Sequence, residues 1–532
     1  MATTVQPVPA RSRAGVAEDP YANRYWIAAA VTLAAVLELV DTSIVNVAVP
    51  HMMGNLGATL DEIAWVSTGY IIANVIVIPM SSWLSNWFGR RNYLVGSILL
   101  FVAASFFCGA ATGLWPLVFW RVIQGLGGGA LLSTAQATLF EAFPPDEVGK
   151  GQAIFGMGVM VGPTLGPTLG GYIVDNLDWP WIFYINVPLG LLAAALVWAF
   201  VRDSKNAVRA TKVDVAGIVL LATSIGTLQF MLERGERNDW FDSGLVTGLA
   251  AISALSMAAF IWRELTFEQP IVNLRVLRSR QLAVGVVFAA MLGLAMYGSI
   301  FVLPVFLQQL HGFTAWQTGK VIFPGAIASA FTMAIIGRNA NRLDARYTIV
   351  AGVAMFGTCM LWLSQLSLDA GADDVFWPLI LRGVGMGLIF VPLTNASMAE
   401  LSPMSVPQGT ALFNLTRQLG GSLGIAIMAT LLSRFTASAR SSLVTHMSAG
   451  DPDVTQRLAG FSRAFVARGS DATTAAAQAY QVLERQVLAQ ASVISFSKIY
   501  LLSGAVMTLG LPLLLLWRTG RNRTAMSPAD MH

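Results

Sequence analysis

Residues 145–171 read PDEVGKGQAIFGMGVMVGPTLGPTLGG, and a related pattern returns without a gap at residues 403–424, PMSVPQGTALFNLTRQLGGSLG. The matched positions are Pro145, Val148, Gly151, Phe155, Gly162 and Gly166 in the first copy, and Pro403, Val406, Gly409, Phe413, Gly420 and Gly424 in the second. Proline, valine and phenylalanine match as well as glycine, so chance similarity between two glycine-rich segments explains the pattern poorly. The sequence therefore predicts an internal repeat.

The composition around this repeat excludes a water-soluble protein. Of 532 residues, 55% are hydrophobic and 12% are charged, against roughly a quarter charged in soluble domains. Because about 20 apolar residues cross a bilayer as a helix, the chain has room for a dozen or more spans. In such a chain basic residues mark the cytoplasmic side, so we expect a lipid bilayer and no nucleic acid as a partner. Cys108 and Cys359 lie in apolar runs, which argues against a disulfide framework or a cysteine-rich metal site.

Hydrophobic runs predict fourteen transmembrane helices. They lie at 26–50, 63–84, 93–113, 115–141, 151–174, 182–201, 213–232, 243–262, 282–310, 317–337, 347–367, 375–400, 408–434 and 496–517. With the amino terminus inside, the short cytoplasmic connections carry fourteen Lys and Arg residues and the short outside connections carry only Arg234 and Arg237. This asymmetry predicts that both termini are cytoplasmic. The outside connection at 435–495 is too long for the charge rule to apply.

The repeat and the spans together predict the architecture. The fourth and fifth spans correspond to the twelfth and thirteenth, and this even offset gives a parallel repeat about an axis along the membrane normal. We therefore predict an all-α integral membrane protein with two six-helix bundles and two inserted helices, and a cavity between the bundles near the bilayer midplane. The predicted parts are a cytoplasmic tail at 1–25, a first bundle at 26–201, inserted helices at 202–265, a second bundle at 266–517 that includes the periplasmic loop 435–495, and a cytoplasmic tail at 518–532.

Charged residues inside the spans are the first candidates for function, because a charge in hydrocarbon costs several kcal/mol. Glu38 and Asp41 lie three residues apart in the first span and share one helix face. Two neighbouring carboxylates in poorly hydrated surroundings suit proton coupling, although either could instead pair with a structural arginine. Arg121 in the fourth span stays charged at all times and is the natural partner for Asp41.

A second polar group lies in the thirteenth span. Arg417, Asn414 and Gln418 form a polar stripe on an otherwise apolar helix. Arg417 could hold an anionic substrate, pair within the bundle, or extend its side chain toward water. We place these residues in a predicted substrate cavity together with Asn46 and Gln124.

Two glycine-containing segments complete the candidates. Small residues in the fifth span allow tight packing and a bend, which is common in membrane helices; they are Gly162, Gly166, Pro167, Gly170 and Gly171. The turn Gly89-Arg90-Arg91 between the second and third spans is either a cytoplasmic gate or simple positive-inside anchoring. Spacing alone does not separate these two interpretations.

The motifs resemble those of the fourteen-span drug:proton antiporters of the major facilitator superfamily, the EmrB/QacA type, over nearly the whole chain. The stretch 41–50, DTSIVNVAVP, looks like the first-span motif of that branch, and Arg121 with Gln124-Gly125 looks like the fourth-span proton-transfer motif. The run Gly162 to Gly171 is similar to the antiporter motif of the fifth span, and residues 181–188, WIFYINVP, resemble another stretch typical of the branch. The resemblance implies the major facilitator fold.

The resemblance also implies proton-driven export of hydrophobic or amphipathic toxic compounds across the bacterial inner membrane. The loop at 435–495 fits the EmrB group, which works with a periplasmic adaptor (a membrane fusion protein) and a TolC-type outer-membrane channel. Within the loop, residues 470–495 predict a capped amphipathic helix that could dock a partner or could equally pack as a cap over the cavity.

This chain departs from the family pattern at three positions. Ser82 and Asn86 replace the glycine and the acidic residue of the second-to-third loop motif, and Glu38 is not part of any family motif.

Other functions fit the sequence less well. A receptor or an uptake carrier on the same scaffold is the alternative to an exporter. We find no Gly-x-x-x-x-Gly-Lys-Ser/Thr phosphate loop, so a proton gradient rather than a nucleotide or another cofactor is expected to supply the energy. The four histidines, His51, His311, His446 and His532, are scattered and form no helical metal-ligand pair. We therefore expect neither a metal site nor enzymatic activity.

Overall fold

The computed structural model describes residues 21–203, 213–340, 342–447 and 451–517. Most of the predicted amino-terminal tail and all of the carboxy-terminal tail lie outside these residues. The same is true of Lys205, Arg209 and Lys212, three of the basic residues that the orientation argument uses.

The described part of the chain folds into helices joined by short connections. Their bounds are α1 Arg24–Leu56, α2 Leu60–Phe88, α3 Arg90–Gly109, α4 Leu114–Gly128, α5 Leu131–Ala142, α6 Val148–Asn176, α7 Trp181–Tyr184, α8 Asn186–Phe200, α9 Val215–Arg234, α10 Gly244–Thr266, α11 Arg280–His311, α12 Ala315–Arg338, α13 Ala345–Leu363, α14 Ala372–Met398, α15 Val406–Thr445, α16 Pro452–Ala467 and α17 Ala472–Leu509. Short 3-10 segments lie at 236–238, 240–242, 274–278 and 511–516.

Thirteen helical segments of the described residues are long and apolar enough to cross a membrane. The predicted span at 115–141 is the remaining crossing, and it is interrupted between α4 and α5. At the interruption α2 packs closely, since an added Cβ at Gly129 would fall on the carbonyl of Asn74. Gly129 and Ala130 keep right-handed helical dihedral angles, so the chain continues in nearly the same direction.

The repeat in the sequence appears as a repeat in helix pairing. Gly162 of α6 packs on Leu39 of α1, and Gly420 of α15 packs on the backbone of Ala290 in α11. The other pairs follow the same rule: α2 and α3 flank α4 as α12 and α13 flank α14, and α8 packs on α3 as α17 packs on α13. The prediction of two related bundles in a major facilitator fold is confirmed.

The inserted helices α9 and α10 pack against each other and bridge the two bundles. On the first bundle, Arg237 pairs with Asp61 at 2.9 Å. On the second, Gln229 donates to the Ser422 hydroxyl and the Trp240 indole donates to the Thr430 hydroxyl, both at 2.9 Å.

The predicted loop at 435–495 contains more helix than expected. The helix α15 runs to Thr445, and α17 runs from Ala472 into the last span without a break, so the predicted loop helix and the last span are one element. Asp471 caps α17 by accepting the backbone N–H of Thr474 at 3.1 Å. The Thr473 hydroxyl also donates to this carboxylate, and these hydrogen bonds, the one from Thr473 above all, lower the pKa of Asp471. Between them, α16 packs on α17 and has no buried residue.

Consecutive helices place their ends at two faces. We call the side where the described chain begins at residue 21 and ends at residue 517 the terminal face, and the opposite side, which carries α16, the hairpin face. Between the faces, large apolar side chains point outward, including Phe331, Trp198 and Leu255, which are 68%, 55% and 73% exposed. Such a surface is stable only against lipid, so the chain is a multi-pass membrane protein.

Candidate functional site

A buried ion pair lies at the centre of the first bundle. The Nη1 of Arg121 in α4 is 2.6 Å from the Oδ2 of Asp41 in α1, and the two side chains are 1% and 0% exposed. Breaking a buried pair by removing one partner costs about 3–5 kcal/mol. The pairing of these residues, expected from the sequence, therefore holds α1 against α4.

The second oxygen of Asp41 accepts hydrogen bonds from two amides. Gln124 donates from Nε2 at 3.0 Å and Asn186 of α8 donates from Nδ2 at 2.8 Å, both to Oδ1. Asn186 also donates to the Ser105 hydroxyl of α3 at 3.0 Å. Four segments of the first bundle thus converge on one carboxylate.

Arg121 is held as firmly as its partner. Its Nε donates to the backbone carbonyl of Val66 at 3.1 Å, and its Nη1 also donates to the Gln124 Oε1 at 2.7 Å. The guanidinium carbon lies 4.1 Å from the centre of the Tyr70 ring, which is within the range of a cation–π contact. Arg121 is therefore held by contacts beyond its ion pair with Asp41.

Glu38 has a different partner from the one its spacing suggests. The Asn74 amide of α2 donates to its Oε1 at 2.9 Å, while its Oε2 is buried and has no hydrogen-bond partner among the described residues. The Arg417 guanidinium of the second bundle attracts the Glu38 carboxylate more strongly than the Asp41 carboxylate repels it. Glu38 therefore interacts with a charge of the other bundle, whereas Asp41 is bound by Arg121, Gln124 and Asn186 of its own bundle.

Arg417 and Asn414 form a second buried cluster in α15. Arg417 is fully buried, donates to Tyr297 Oη at 3.3 Å and to Asn414 Oδ1 at 3.2 Å, and has no carboxylate within 4.0 Å among the described residues. Asn414 donates to Gln136 Oε1 of α5 at 2.6 Å, so the cluster joins the two bundles. The Arg417 side chain thus bonds to two residues of its own bundle and does not reach the surface.

The other two predicted cavity residues are not joined to these clusters. Asn46 is exposed, and Gln418 is half-buried. Neither makes a side-chain hydrogen bond within the described residues. The structure thus brings together Asp41, Arg121 and Gln124 in one group and Asn414 and Arg417 in another.

The glycine motif of α6 is a contact surface for α1. Added Cβ atoms at Gly162, Gly166 and Gly170 would meet Leu39, Ser43 and Ile44 of α1. At Gly166 the Cβ would fall on the Ser43 side chain and 2.9 Å from the backbone nitrogen of Ile44. The helix carrying Asp41 therefore lies as close to α6 as backbones allow.

The neighbouring face of α6 meets the second bundle. A Cβ at Gly171 would lie 3.2 Å from the backbone nitrogen of Trp316 in α12. Pro167 lies inside α6 between these contacts. The helix α6 thus packs both on α1, which carries Asp41, and on α12 of the second bundle.

The turn at Gly89 is tied to its own bundle. Both Nη atoms of Arg90 bind the Glu141 carboxylate, at 2.6 and 2.7 Å. The backbone N–H of Arg91 donates to Asp203 at 2.9 Å. The Arg90 contact braces α3 against α5 within the first bundle, and the Arg91 contact reaches the connection that follows α8.

Sequence reasoning missed the amide residues that complete both clusters. Asn186, Asn74 and Gln136 were not among the candidates, and each is buried in an apolar span. Their position as single polar residues within apolar spans could have identified them, because a polar side chain is rarely kept in hydrocarbon without a partner.

Comparison with known proteins agrees with this geometry. Residues 31–425 match the family model of the Major Facilitator Superfamily. The chain is 35% identical to the multidrug export protein EmrB of Escherichia coli (strain K12) over 405 residues, which is 76% of this chain and 79% of that protein. It is 31% identical to the fatty acid resistance protein FarB of Neisseria gonorrhoeae over 489 residues, which is 92% of this chain and 95% of that protein.

A solved structure shows the same fold. The human organic anion transporter MFSD10 (TETRAN) superposes with a TM-score of 0.59 over 91% of this chain and 99% of that one, at 13% identity. With the family match and the relatives above, the paired bundles and the motifs of α1, α4 and α6 place this chain in the major facilitator superfamily, as a transporter of the EmrB type.

Proposed function

We propose that this protein exports hydrophobic or amphipathic toxic compounds across the bacterial inner membrane, in exchange for protons that flow inward. The observation that carries the proposal is the buried pair of Asp41 and Arg121, which is closed by Gln124 and Asn186. In this topology the terminal face is cytoplasmic and the hairpin face is periplasmic. The energy comes from the proton gradient, so no cofactor is required.

The pair suits proton coupling because its two states differ in charge. When Asp41 is ionised, its attraction to Arg121 holds α1 and α4 together. A proton on Asp41 removes that attraction and leaves a buried cation, which favours a rearrangement that lets water or another anion reach Arg121. Because α6 packs on α1 and on α12, a shift of α1 is transmitted to the other bundle and alternates access to the cavity.

The cluster at the bundle interface supplies a place for substrate. Arg417, Asn414 and Gln136 lie where the bundles meet, and Glu38 faces them. We assign Arg417 and Asn414 to the substrate cavity with Asn46, Gln124 and Gln418, and we keep Glu38 as a second proton site. We propose that the first bundle comprises residues 26–201, the inserted helices residues 202–265 and the second bundle residues 266–517.

The names of the relatives favour export over a receptor or an uptake carrier. One is a multidrug export protein and another is a fatty acid resistance protein.

Everted membrane vesicles test the proposal directly. The wild-type chain should accumulate a fluorescent amphipathic dye in the vesicle lumen when a proton gradient is present, and a proton ionophore should abolish that accumulation. Vesicles without the protein give the background. Accumulation that continues unchanged with the ionophore would rule out proton antiport.

We also propose that the hairpin face binds a periplasmic adaptor, which connects the transporter to a TolC-type outer-membrane channel. The support is the shape of this region: α16 lies on α17 with none of its residues buried, and Val466 and Tyr480 are 48% and 63% exposed. A cap that served only the cavity would bury its own apolar side chains instead.

Replacing residues 452–467 with a short Gly-Ser linker separates these two interpretations. We expect dye accumulation in everted vesicles to stay within about twofold of wild type, because α16 contacts the rest of the chain through α17. Resistance of intact cells should fall to the level of cells without the transporter. Full cellular resistance in the linker variant would contradict adaptor binding at α16.

A further inference from the structure

A cavity of about 640 Å³ opens at the terminal face between α10 and α11. It is lined by Leu265, Leu274, Arg275, Leu277 and Arg278. The last four belong to the short 3-10 segment 274–278, and Leu265 lies in the last turn of α10. The cavity is remote from the buried clusters of the two bundles.

Buried contacts hold the 3-10 segment 274–278, which forms most of the cavity wall. Val276 is buried, and the backbone N–H of Val272 donates to the Glu264 carboxylate at 2.9 Å. At the other end, the Ser279 hydroxyl caps α11 by accepting the N–H of Leu282. These contacts hold the two arginines at a defined place on the surface.

The charges in the cavity are not neutralised by the described residues. Arg275 and Arg278 are both exposed, and neither pairs with a carboxylate in the part of the chain that the structure describes. Arg275 uses one Nη to donate to the carbonyl of Leu265 at 3.1 Å, which leaves its other N–H groups available. The acids nearby are engaged elsewhere: Glu264 binds Val272, and Glu400 accepts from Ser279 at 3.2 Å.

The cavity continues into a surface that faces lipid. Along α10, Leu255, Trp262 and Leu265 are 73%, 69% and 49% exposed. Because α10 is long and apolar enough to span the bilayer and ends at Thr266, Leu265 lies where hydrocarbon gives way to head groups. An apolar strip that ends at two unpaired guanidinium groups matches a molecule with acyl chains and an anionic head.

We propose that this cavity binds the phosphodiester head group of an anionic phospholipid, with its acyl chains against the exposed face of α10. Guanidinium groups bind phosphate oxygens through two parallel N–H donors, which a zwitterionic lipid satisfies less well because its own ammonium competes. Bound there, the lipid ties the inserted helices to the start of the second bundle. This site does not depend on the transport mechanism proposed above.

Lipid titration of the purified full-length chain, followed by native mass spectrometry, tests this site. We expect phosphatidylglycerol to bind at least tenfold more tightly than phosphatidylcholine of the same acyl chains. Arg275→Gln with Arg278→Gln should weaken phosphatidylglycerol binding by roughly 10- to 30-fold, since each basic residue at a membrane surface contributes about a factor of five. The double change to lysine keeps both charges but loses the paired guanidinium donors, so its affinity should fall between those of the wild type and the glutamine variant.

The control removes the same charge elsewhere on the terminal face. Arg342→Gln with Arg346→Gln should leave phosphatidylglycerol affinity unchanged. Equal loss in the control would show a diffuse charge effect and overturn the site, as would unchanged affinity in the Arg275 and Arg278 variant. Displacement of the lipid by an equal concentration of inorganic phosphate would show that a free anion, not a lipid, is the ligand.

Discussion

Asp41→Asn is expected to reduce ionophore-sensitive dye export to the background of vesicles without the protein. Asparagine still accepts and donates hydrogen bonds in the cluster, but it carries no proton between the two sides. The change leaves Arg121 buried without a counter-charge, which costs about 3–5 kcal/mol and could reduce the amount of protein in the membrane. Transport should therefore be expressed per molecule inserted.

Three variants make this result specific. Asp41→Asn with Arg121→Gln removes both charges, so it should restore normal insertion and remain inactive. Asp61→Asn removes an exposed carboxylate that pairs with Arg237, and it should transport like wild type. Asn186→Leu keeps the carboxylate and removes one of its two amide donors, so it should lower the rate without abolishing it.

Proton-driven export by Asp41→Asn at the wild-type rate would refute the assignment of Asp41. In that case the same assay on Glu38→Gln would locate the coupling carboxylate. The structure supports this alternative, because one carboxylate oxygen of Glu38 has no hydrogen-bond partner among the described residues and the carboxylate is attracted by Arg417 of the other bundle.

Gly166→Ala should be a strongly damaging single-methyl change. The new Cβ falls on Ser43 and close to the backbone nitrogen of Ile44, and neither α1 nor α6 can move away without disturbing Asp41 or the contact with α12. Overpacking a close helix contact costs about 1–3 kcal/mol. We expect a lower apparent melting temperature in detergent and export reduced more than tenfold.

Matched variants separate this clash from a general effect of alanine. Gly248→Ala adds a methyl group to α10 where no atom lies within 4 Å, so its melting temperature and export should equal wild type or exceed it slightly. Ser43→Gly in the Gly166→Ala background removes the side-chain part of the clash and should recover part of the stability. A melting temperature unchanged by Gly166→Ala would show that α1 and α6 are packed less tightly than described.

Much of the fold could be predicted because membrane helices leave strong local signals. Apolar runs located the crossings, and matched residues at a constant offset gave the parallel repeat. The errors were also local in origin. The span at 115–141 reads as one apolar run, yet the structure divides it into α4 and α5 at Gly129 and Ala130. The loop at 435–495 reads as polar, yet α15 and α17 extend into it as helices.

The site was only partly predictable. The spacing of Glu38 and Asp41 showed that they share a face of α1, but spacing on one helix does not tell what lies opposite. Their partners proved to be different: Arg121 for Asp41, and Asn74 with a more distant Arg417 for Glu38. The Arg90 turn likewise gave no sign that Glu141 would hold it within one bundle.

The sequence alone determined that this chain crosses the membrane many times, that its halves are related, and that a few charges are kept in hydrocarbon at an energetic cost. These properties can be recognised within single helices, because they depend on the composition and periodicity of residues that are close in the sequence. Only the tertiary structure decided which polar groups meet. Asp41 and Asn186 are 145 residues apart, and Gln136 and Asn414 are 278 apart. Such contacts depend on the rotation and depth of each helix, which are set by where glycines let two backbones approach.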